Sequence, residues 1–402
     1  MKLKSKNDDD WLRDFRNFLY FELLTSYMEA RKGGKRATFD EHKFEINLYE
    51  NLVTLCNSIL DKKYLPSRGT AHIIYNPVIR EIFAAPFRDR IVHHWIYTVI
   101  YDWWDKHFIF DSYSCREGKG TLMGIQRLQH HIRSASCNRT KEVYVITLDV
   151  QGYFMSLDRK KLYKRALWGL DRQFKGHKGV MYHLVKYSLY KIIMDDPVKG
   201  VKKKGWPHDW KYLPPTKSLF NQPKGIGIVI GNLTSQLLSN IFLDQLDRYI
   251  KFELWYKYYG RYVDDFYYVV TEDQLKQLER DIVAINNFLK TIGLHLNMKK
   301  TRKIPSWQGV PFLGMVNKNG VIMPDKRIYR NYARAVRKYK AGISNGIAGK
   351  NEESVASYLG MMKNYNSFRA IQKPFGDEIE LLKNFEYVLG ELKAGPLGTC
   401  FD

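Results

Sequence analysis

The sequence predicts an α+β fold on three observations. Apolar residues recur at helical spacing through the first hundred positions. Strand-like runs of aromatic and β-branched residues are confined to the middle of the chain, and helical spacing returns after Pro324. A chain of 402 residues, 45% hydrophobic and 14% aromatic, is long enough to bury the cores of several cooperating subdomains.

Taken in order, residues 11–32, 40–62 and 91–104 read as helices, the last very aromatic (IVHHWIYTVIYDWW). Residues 143–148 (VYVITL) and the two arms of YYGRYVDDFYYVV (258–270) read as strands, whereas 232–252 and 273–291 read as helices. Five of the 13 prolines and a basic run fall within 195–224, so an irregular insertion is expected over about 175–224. After Pro324, Arg327, Arg330, Arg334 and Arg337 share one face of a helix and Tyr329, Tyr332, Val336 and Tyr339 another. Four guanidinium groups without an interleaved acid suit a face that tracks phosphates in RNA or DNA.

The charge balance narrows the function. Lys and Arg number 65 against 42 Asp and Glu, a formal net charge of +23. Solubility alone needs a net magnitude of only about 2–8 for a small domain, so a polyanionic partner, nucleic acid before membrane lipid, is expected. The polar start MKLKSKNDDDW has no signal-peptide core and no apolar run approaches the roughly 18 residues of a membrane span, so a cytoplasmic location is expected. Cys56, Cys115, Cys137 and Cys400 are scattered without a CxxC pair, which points to reduced structural thiols and away from zinc. His93-His94 and His130-His131 likewise lack cysteine partners at metal spacing.

Two adjacent carboxylates interrupt the strand-forming run 258–270. Asp264 and Asp265 are expected at a tight turn of one hairpin, where buried like charges need partners, and cations are the usual ones. A third carboxylate, Asp149, ends the apolar strand of VYVITLDVQGYFMSLD. If that strand lies beside the hairpin, Asp149, Asp264, the Val150 carbonyl and the nearby Asp265 could hold two Mg²⁺ ions (Mn²⁺ a substitute) about 4 Å apart, the arrangement for in-line phosphoryl displacement. The stretch REGKGT (116–121) lacks P-loop spacing; Arg116 and Lys119 are assigned instead to template backbone.

These motifs resemble those of reverse transcriptases. YVDD (262–265) looks like their Tyr-x-Asp-Asp motif and LDVQGYF like their first catalytic motif. REIFAAPFRDRIVHH (80–94) is similar to a fingers segment whose arginine, here Arg80, contacts the incoming triphosphate. GLHLNMKKT (293–301) is similar to the motif whose lysine, here Lys300, donates a proton to pyrophosphate, and PFLG (311–314) to the primer grip. IGNLTSQLLSN (230–240) resembles the form found in diversity-generating retroelements, as do FIFDSYSCREGKGT, DWKYLPPTKSLF and SYLGMMKNYNSF. Val229 departs from that family, which usually has proline there.

The resemblance, over about 64–370, implies a right-hand polymerase: an N-terminal helical extension (1–63), fingers (64–142), a palm with antiparallel sheet (143–322), and a helical thumb and tail (323–402). It implies copying of a structured template RNA into cDNA from dNTP substrates, and a small basic helical accessory protein as partner. No ribonuclease H or endonuclease domain is expected. Phe154 falls at the steric-gate position that excludes a 2′-hydroxyl. Ile230 and Gly231 face the nucleotide, and isoleucine in place of a hydrogen-bonding glutamine predicts error-prone synthesis. A defence-associated bacterial reverse transcriptase would share this centre; a non-catalytic RNA-binding protein would have no use for the aspartates.

Overall fold

The computed structural model describes residues 6–32, 38–75, 78–347, 351–365 and 367–389. Cys400, the rest of the expected tail, and Asn366 of SYLGMMKNYNSF lie outside them. The chain forms two compact units, each assembled from three stretches: Met1–Arg116, Asp149–Trp255 and Arg280–Lys299 in the first, and Glu117–Leu148, Tyr256–Glu279 and Lys300–Asp402 in the second.

In the first unit, helices α1 (Lys6–Ala30), α2 (Phe39–Ile46) and α3 (Leu48–Leu60) precede a hairpin of β1 (Thr70–Ile74) and β2 (Arg80–Ala84). The stretch 40–62 is thus two helices, broken at Asn47, whose φ of −120° and ψ of 48° are not helical. Helix α4 (Phe87–His107) buries Ile91, Val92, Trp95, Ile96 and Trp104 and packs against α1. Its first turn is held by buried Asp89, which accepts from the Ser67 N–H (2.7 Å) and the Tyr64 hydroxyl (3.1 Å); burial nevertheless pushes its carboxyl upward.

Helix α5 (Thr121–Ala135) and strand β3 (Val143–Asp149) follow, the latter ending where the chain passes back to the first unit. There the one-turn α6 (Tyr153–Ser156) leads to α7 (Arg159–Gln173) and α8 (Val180–Met194). The expectation of an irregular insertion from about 175 is corrected here. Residues 180–194 are helical, burying Tyr182, Leu184, Val185, Leu189 and Ile193, and the irregular part begins at Asp195. Its two-residue strand β4 (Lys202–Lys203) pairs in parallel with β1, giving the sheet β2-β1-β4. Buried Glu81 of β2 fastens the insertion by accepting from the Ser218 hydroxyl (2.7 Å) and the Leu219 N–H (3.3 Å). Helix α9 (Leu233–Arg248) packs on α4 and α7, and its Asn240 side chain donates to the Ser114 carbonyl (2.7 Å). Two stretches singled out from the sequence, 108–121 and 230–240, therefore touch.

The second unit carries β5 (Tyr259–Tyr262) and β6 (Asp265–Thr271), followed by helix α10 (Leu278–Thr291), which runs back into the first unit, and by β7 (Arg302–Pro305). Strand order in its main sheet is β5-β6-β3-β7, with α5 against β5 and β6. A second, antiparallel sheet holds β8 (Val310–Phe312), β9 (Met315–Lys318) and β10 (Val321–Pro324). Its two hairpin turns have positive φ at both central residues, Leu313 and Gly314, then Asn319 and Gly320, as strand twist favours. Helices α11 (Lys326–Ser344) and α12 (Glu352–Met362) close a core of Met315, Ile322, Tyr332, Val336, Tyr339, Val355 and Leu359. No helix among the described residues is long and apolar enough to cross a membrane.

Candidate catalytic hairpin and nucleotide-facing loops

Register fixes the hairpin: Tyr259 pairs with Tyr268 and Tyr262 with Asp265, leaving Val263 and Asp264 as the two turn residues. Val263 has φ of +56°, at the position where a two-residue hairpin usually places glycine. A β-branched residue there stores about 1–3 kcal/mol of strain. Fully buried Arg261 holds the turn by donating to the Val263 carbonyl (2.8 Å). Phe266–Val270 are buried, Asp264 is half-buried and Asp265 exposed, so the two carboxylates sit at the mouth of an apolar strand.

Asp149, the last residue of β3, is 5% exposed. The Asn297 side chain donates to its carboxylate (3.1 Å) and the Asn297 N–H to its carbonyl (2.8 Å), while the Gln151 N–H donates to His295 (2.9 Å). Val150 and Leu296 face each other across this bridge as its non-hydrogen-bonded pair, so the Val150 carbonyl takes no part in the bridge's hydrogen bonds. A carboxylate beside a backbone carbonyl is the hard-oxygen donor set that Mg²⁺ takes, so these residues fit that ion. Sequence reading assigned a role only to Lys300 of GLHLNMKKT. It missed Asn297, whose amide positions Asp149; the signal was an amide side chain in an otherwise apolar and basic motif.

The positions expected from the sequence to face the nucleotide gather in the first unit. Gly152, at φ of +55°, turns the chain so that α6 starts immediately and half-buried Phe154 packs on a cluster of Ala71, Phe83, Met155 and Leu219. Val229 and Ile230 pack on the same cluster. The Ile228 N–H donates to Phe154 (2.9 Å), and the Ile230 carbonyl accepts from the Phe83 N–H (2.9 Å). Gly231 has φ of +129°, and a Cβ there would lie 2.4 Å from the Phe83 carbonyl oxygen, so only glycine permits this approach. Arg80 opens β2, exposed, three residues before Phe83. Phe154, Ile230 and Gly231 thus belong to one packed assembly, and Arg80 lies on the strand that carries Phe83.

Among the basic residues, Arg327, Arg330, Arg334 and Arg337 are all exposed on α11 while Tyr332, Val336 and Tyr339 are buried, as the spacing predicts; Tyr329 is half-buried. Lys300 is exposed just before β7, and Lys119 is half-buried. The assignment of Arg116 to template backbone is corrected. Its side chain is 5% exposed, pairs with Asp105 (2.6 Å) and donates to the carbonyls of Asp105, Ile109 and Ser112. All its donor nitrogens are spent inside the fold. His93 is a core residue 2.7 Å from the Thr234 hydroxyl, its pKa lowered by burial to about 3. Buried His131 lies 3.1 Å from the Tyr267 hydroxyl. Cys56, Cys115 and Cys137 are free thiols.

An antiparallel sheet carrying a paired-carboxylate hairpin, with flanking helices and a second sheet leading into helices, is the mixed α+β architecture the sequence predicts. Residues 188–317 match the family described as reverse transcriptase (RNA-dependent DNA polymerase). The matched span includes Ile230, Gly231, Asp264, Asp265 and Lys300 but not Arg80, Asp149 or Phe154. No curated protein matches the chain. Similar solved structures include apo telomerase from Candida tropicalis, 15% identical over 81% of this chain and 61% of that one, with a TM-score of 0.47. Telomerase from Candida albicans in complex with a TWJ fragment of telomeric RNA is 11% identical over 85% and 63% of the two chains, with a TM-score of 0.45. The chain spans about three-fifths of the length of these structures.

Proposed function

We propose that the protein copies a structured template RNA into error-prone complementary DNA by two-metal nucleotidyl transfer, for retroelement-driven sequence diversification. The observation that carries this reading is the strained turn presenting Asp264 at the head of β6, next in the sheet to β3, which ends in Asp149. Strain retained at a turn that glycine would relax is expected where the position of a side chain matters more than stability.

In this reading Asp149, Asp264, Asp265 and the Val150 carbonyl hold two Mg²⁺ ions. The chemistry such ions supply when bound is activation of the primer hydroxyl and neutralisation of the departing pyrophosphate. Asn297 fixes the Asp149 carboxylate, and the Arg80 guanidinium binds the triphosphate. The Phe154 ring occupies the space a 2′-hydroxyl would need. Lys300 protonates the pyrophosphate, and the α11 arginines follow the phosphates of the template–product duplex. Ile230 offers the nucleotide packing alone, so mispairs lose little. A basic accessory protein would be repelled by a chain of net charge +23 unless RNA bridges the two. The site of action is the cytoplasm.

Primer extension on an RNA template tests the reading. The wild-type chain should extend with Mg²⁺ and misincorporate opposite template adenines, and Ile230→Gln should lower that error rate. Asp264→Asn should abolish extension while retaining RNA. Extension by Asp264→Asn equal to wild type would refute the assignment.

A further inference from the structure

The irregular segment 197–230 holds seven lysines and one acidic residue, Asp209. Within it Trp206 is 72% exposed and Tyr212 is 67% exposed. Large rings held out in water cost hydrophobic free energy, and single ones need no explanation. These two are different because the turn between them is fixed. Asp209 accepts from the Trp206 N–H (2.9 Å) and from the Tyr75 hydroxyl (2.5 Å). Gly205 closes the turn at φ of +95°, with room for no Cβ beside the Asp209 carboxylate (2.9 Å). Trp210 points the other way, edge-on to Phe220 at 5.4 Å, on the cluster that also holds Phe154 and Ile230.

The result is a rigid outward platform. Trp206 and His208 lie near parallel with centroids 6.3 Å apart, and His208 meets Tyr212 edge-on at 6.4 Å, so the rings stay largely open to solvent. Exposed Lys202, Lys204 and Lys211 flank them in the sequence. Asp209, the segment's one carboxylate, is engaged by the turn and lies 3.5 Å from His208.

We propose that Trp206, His208 and Tyr212 with Lys202, Lys204 and Lys211 form a stacking platform for an unpaired RNA strand. Rings that take any base face, interleaved with ammonium groups for phosphates, are the elements of sequence-tolerant single-strand binding. The identity of the strand as RNA rests on the reverse-transcriptase reading, in which the unpaired strand is template. Anchorage on the Phe154 and Ile230 cluster lets the platform hold that strand as it leads toward the nucleotide-facing loops.

Fluorescence anisotropy of the full chain with an unstructured labelled RNA, without dNTPs, tests the platform independently of polymerisation. Trp206→Ala should weaken binding by about 5- to 100-fold and Trp206→Phe should retain most of it. Lys202→Gln with Lys204→Gln should reduce the slope of log affinity against log salt by about 0.7 per lysine. Duplex RNA should be indifferent to Trp206→Ala. Wild-type affinity in Trp206→Ala, an equal loss with duplex, an equal loss in Trp206→Phe, or tighter binding of the same strand as DNA would each overturn the proposal. Because both rings are exposed, unchanged melting temperatures verify the fold of each variant.

Discussion

Replacing Gly231 by alanine asks whether the loop carrying Ile230 and Gly231 is held by its close approach to β2. The new Cβ would meet the Phe83 carbonyl oxygen at 2.4 Å and Ile82 Cγ2 at 3.1 Å, on a backbone with φ of +129°. The backbone conformation alone costs about 1–3 kcal/mol for a non-glycine residue. Relieving the clash means moving the loop from β2, which breaks the Phe83 to Ile230 hydrogen bond (2.9 Å), a further loss of about 0.5–1.5 kcal/mol. Together that is about 2–4 kcal/mol, or roughly 5–15 °C in melting temperature for a unit of this size. Gly176 is the control, since its φ of +82° is also positive but a Cβ there meets nothing within 4 Å. Thermal melting of Gly231→Ala and Gly176→Ala, with the dNTP KM of each, separates strain from clash. Gly231→Ala should melt lower than Gly176→Ala and raise KM. Equal melting and equal KM in the two variants would refute the argument.

Three further outcomes are expected. Arg116→Ala should destabilise the protein by about 3–5 kcal/mol, because it strands Asp105 and three carbonyls, yet leave the salt dependence of RNA binding unchanged, measured by urea melts and anisotropy. Arg330→Gln with Arg334→Gln, both exposed, should do the reverse, leaving stability unchanged and reducing the salt slope by about 1 per charge. His93 should make the fold acid-sensitive. Its folded pKa, lowered from 6.5 to about 3, means the folded state binds fewer protons, so its contribution is complete above pH 6.5 and lost as pH falls toward 3, at most about 5 kcal/mol. His93→Gln should flatten the stability profile in that window.

How far the sequence carries depends on whether the signal is local. The α11 faces follow from a 3.6-residue period, and the hairpin from two strand-forming arms around paired aspartates. Arg116 was misread because its surroundings, glycine and charge, look like an exposed loop; the acid that buries it, Asp105, lies on α4 at no periodic spacing. Helix α8 was obscured because its lysines and histidine interrupt an apolar run that ends against a proline-rich stretch. Asn297 escaped because its partner, Asp149, is far away in sequence. Likewise, nothing local marks Asp149 as the point where one unit passes into the other.

The central claim is that Asp149 and Asp264 serve one divalent-cation site, and Mn²⁺ binding followed by electron paramagnetic resonance tests it without any need for turnover. Asp149→Asn and Asp264→Asn should each abolish the same bound-Mn²⁺ signal, with the double variant no worse than either. Full Mn²⁺ occupancy in Asp149→Asn alongside its loss in Asp264→Asn would contradict the account.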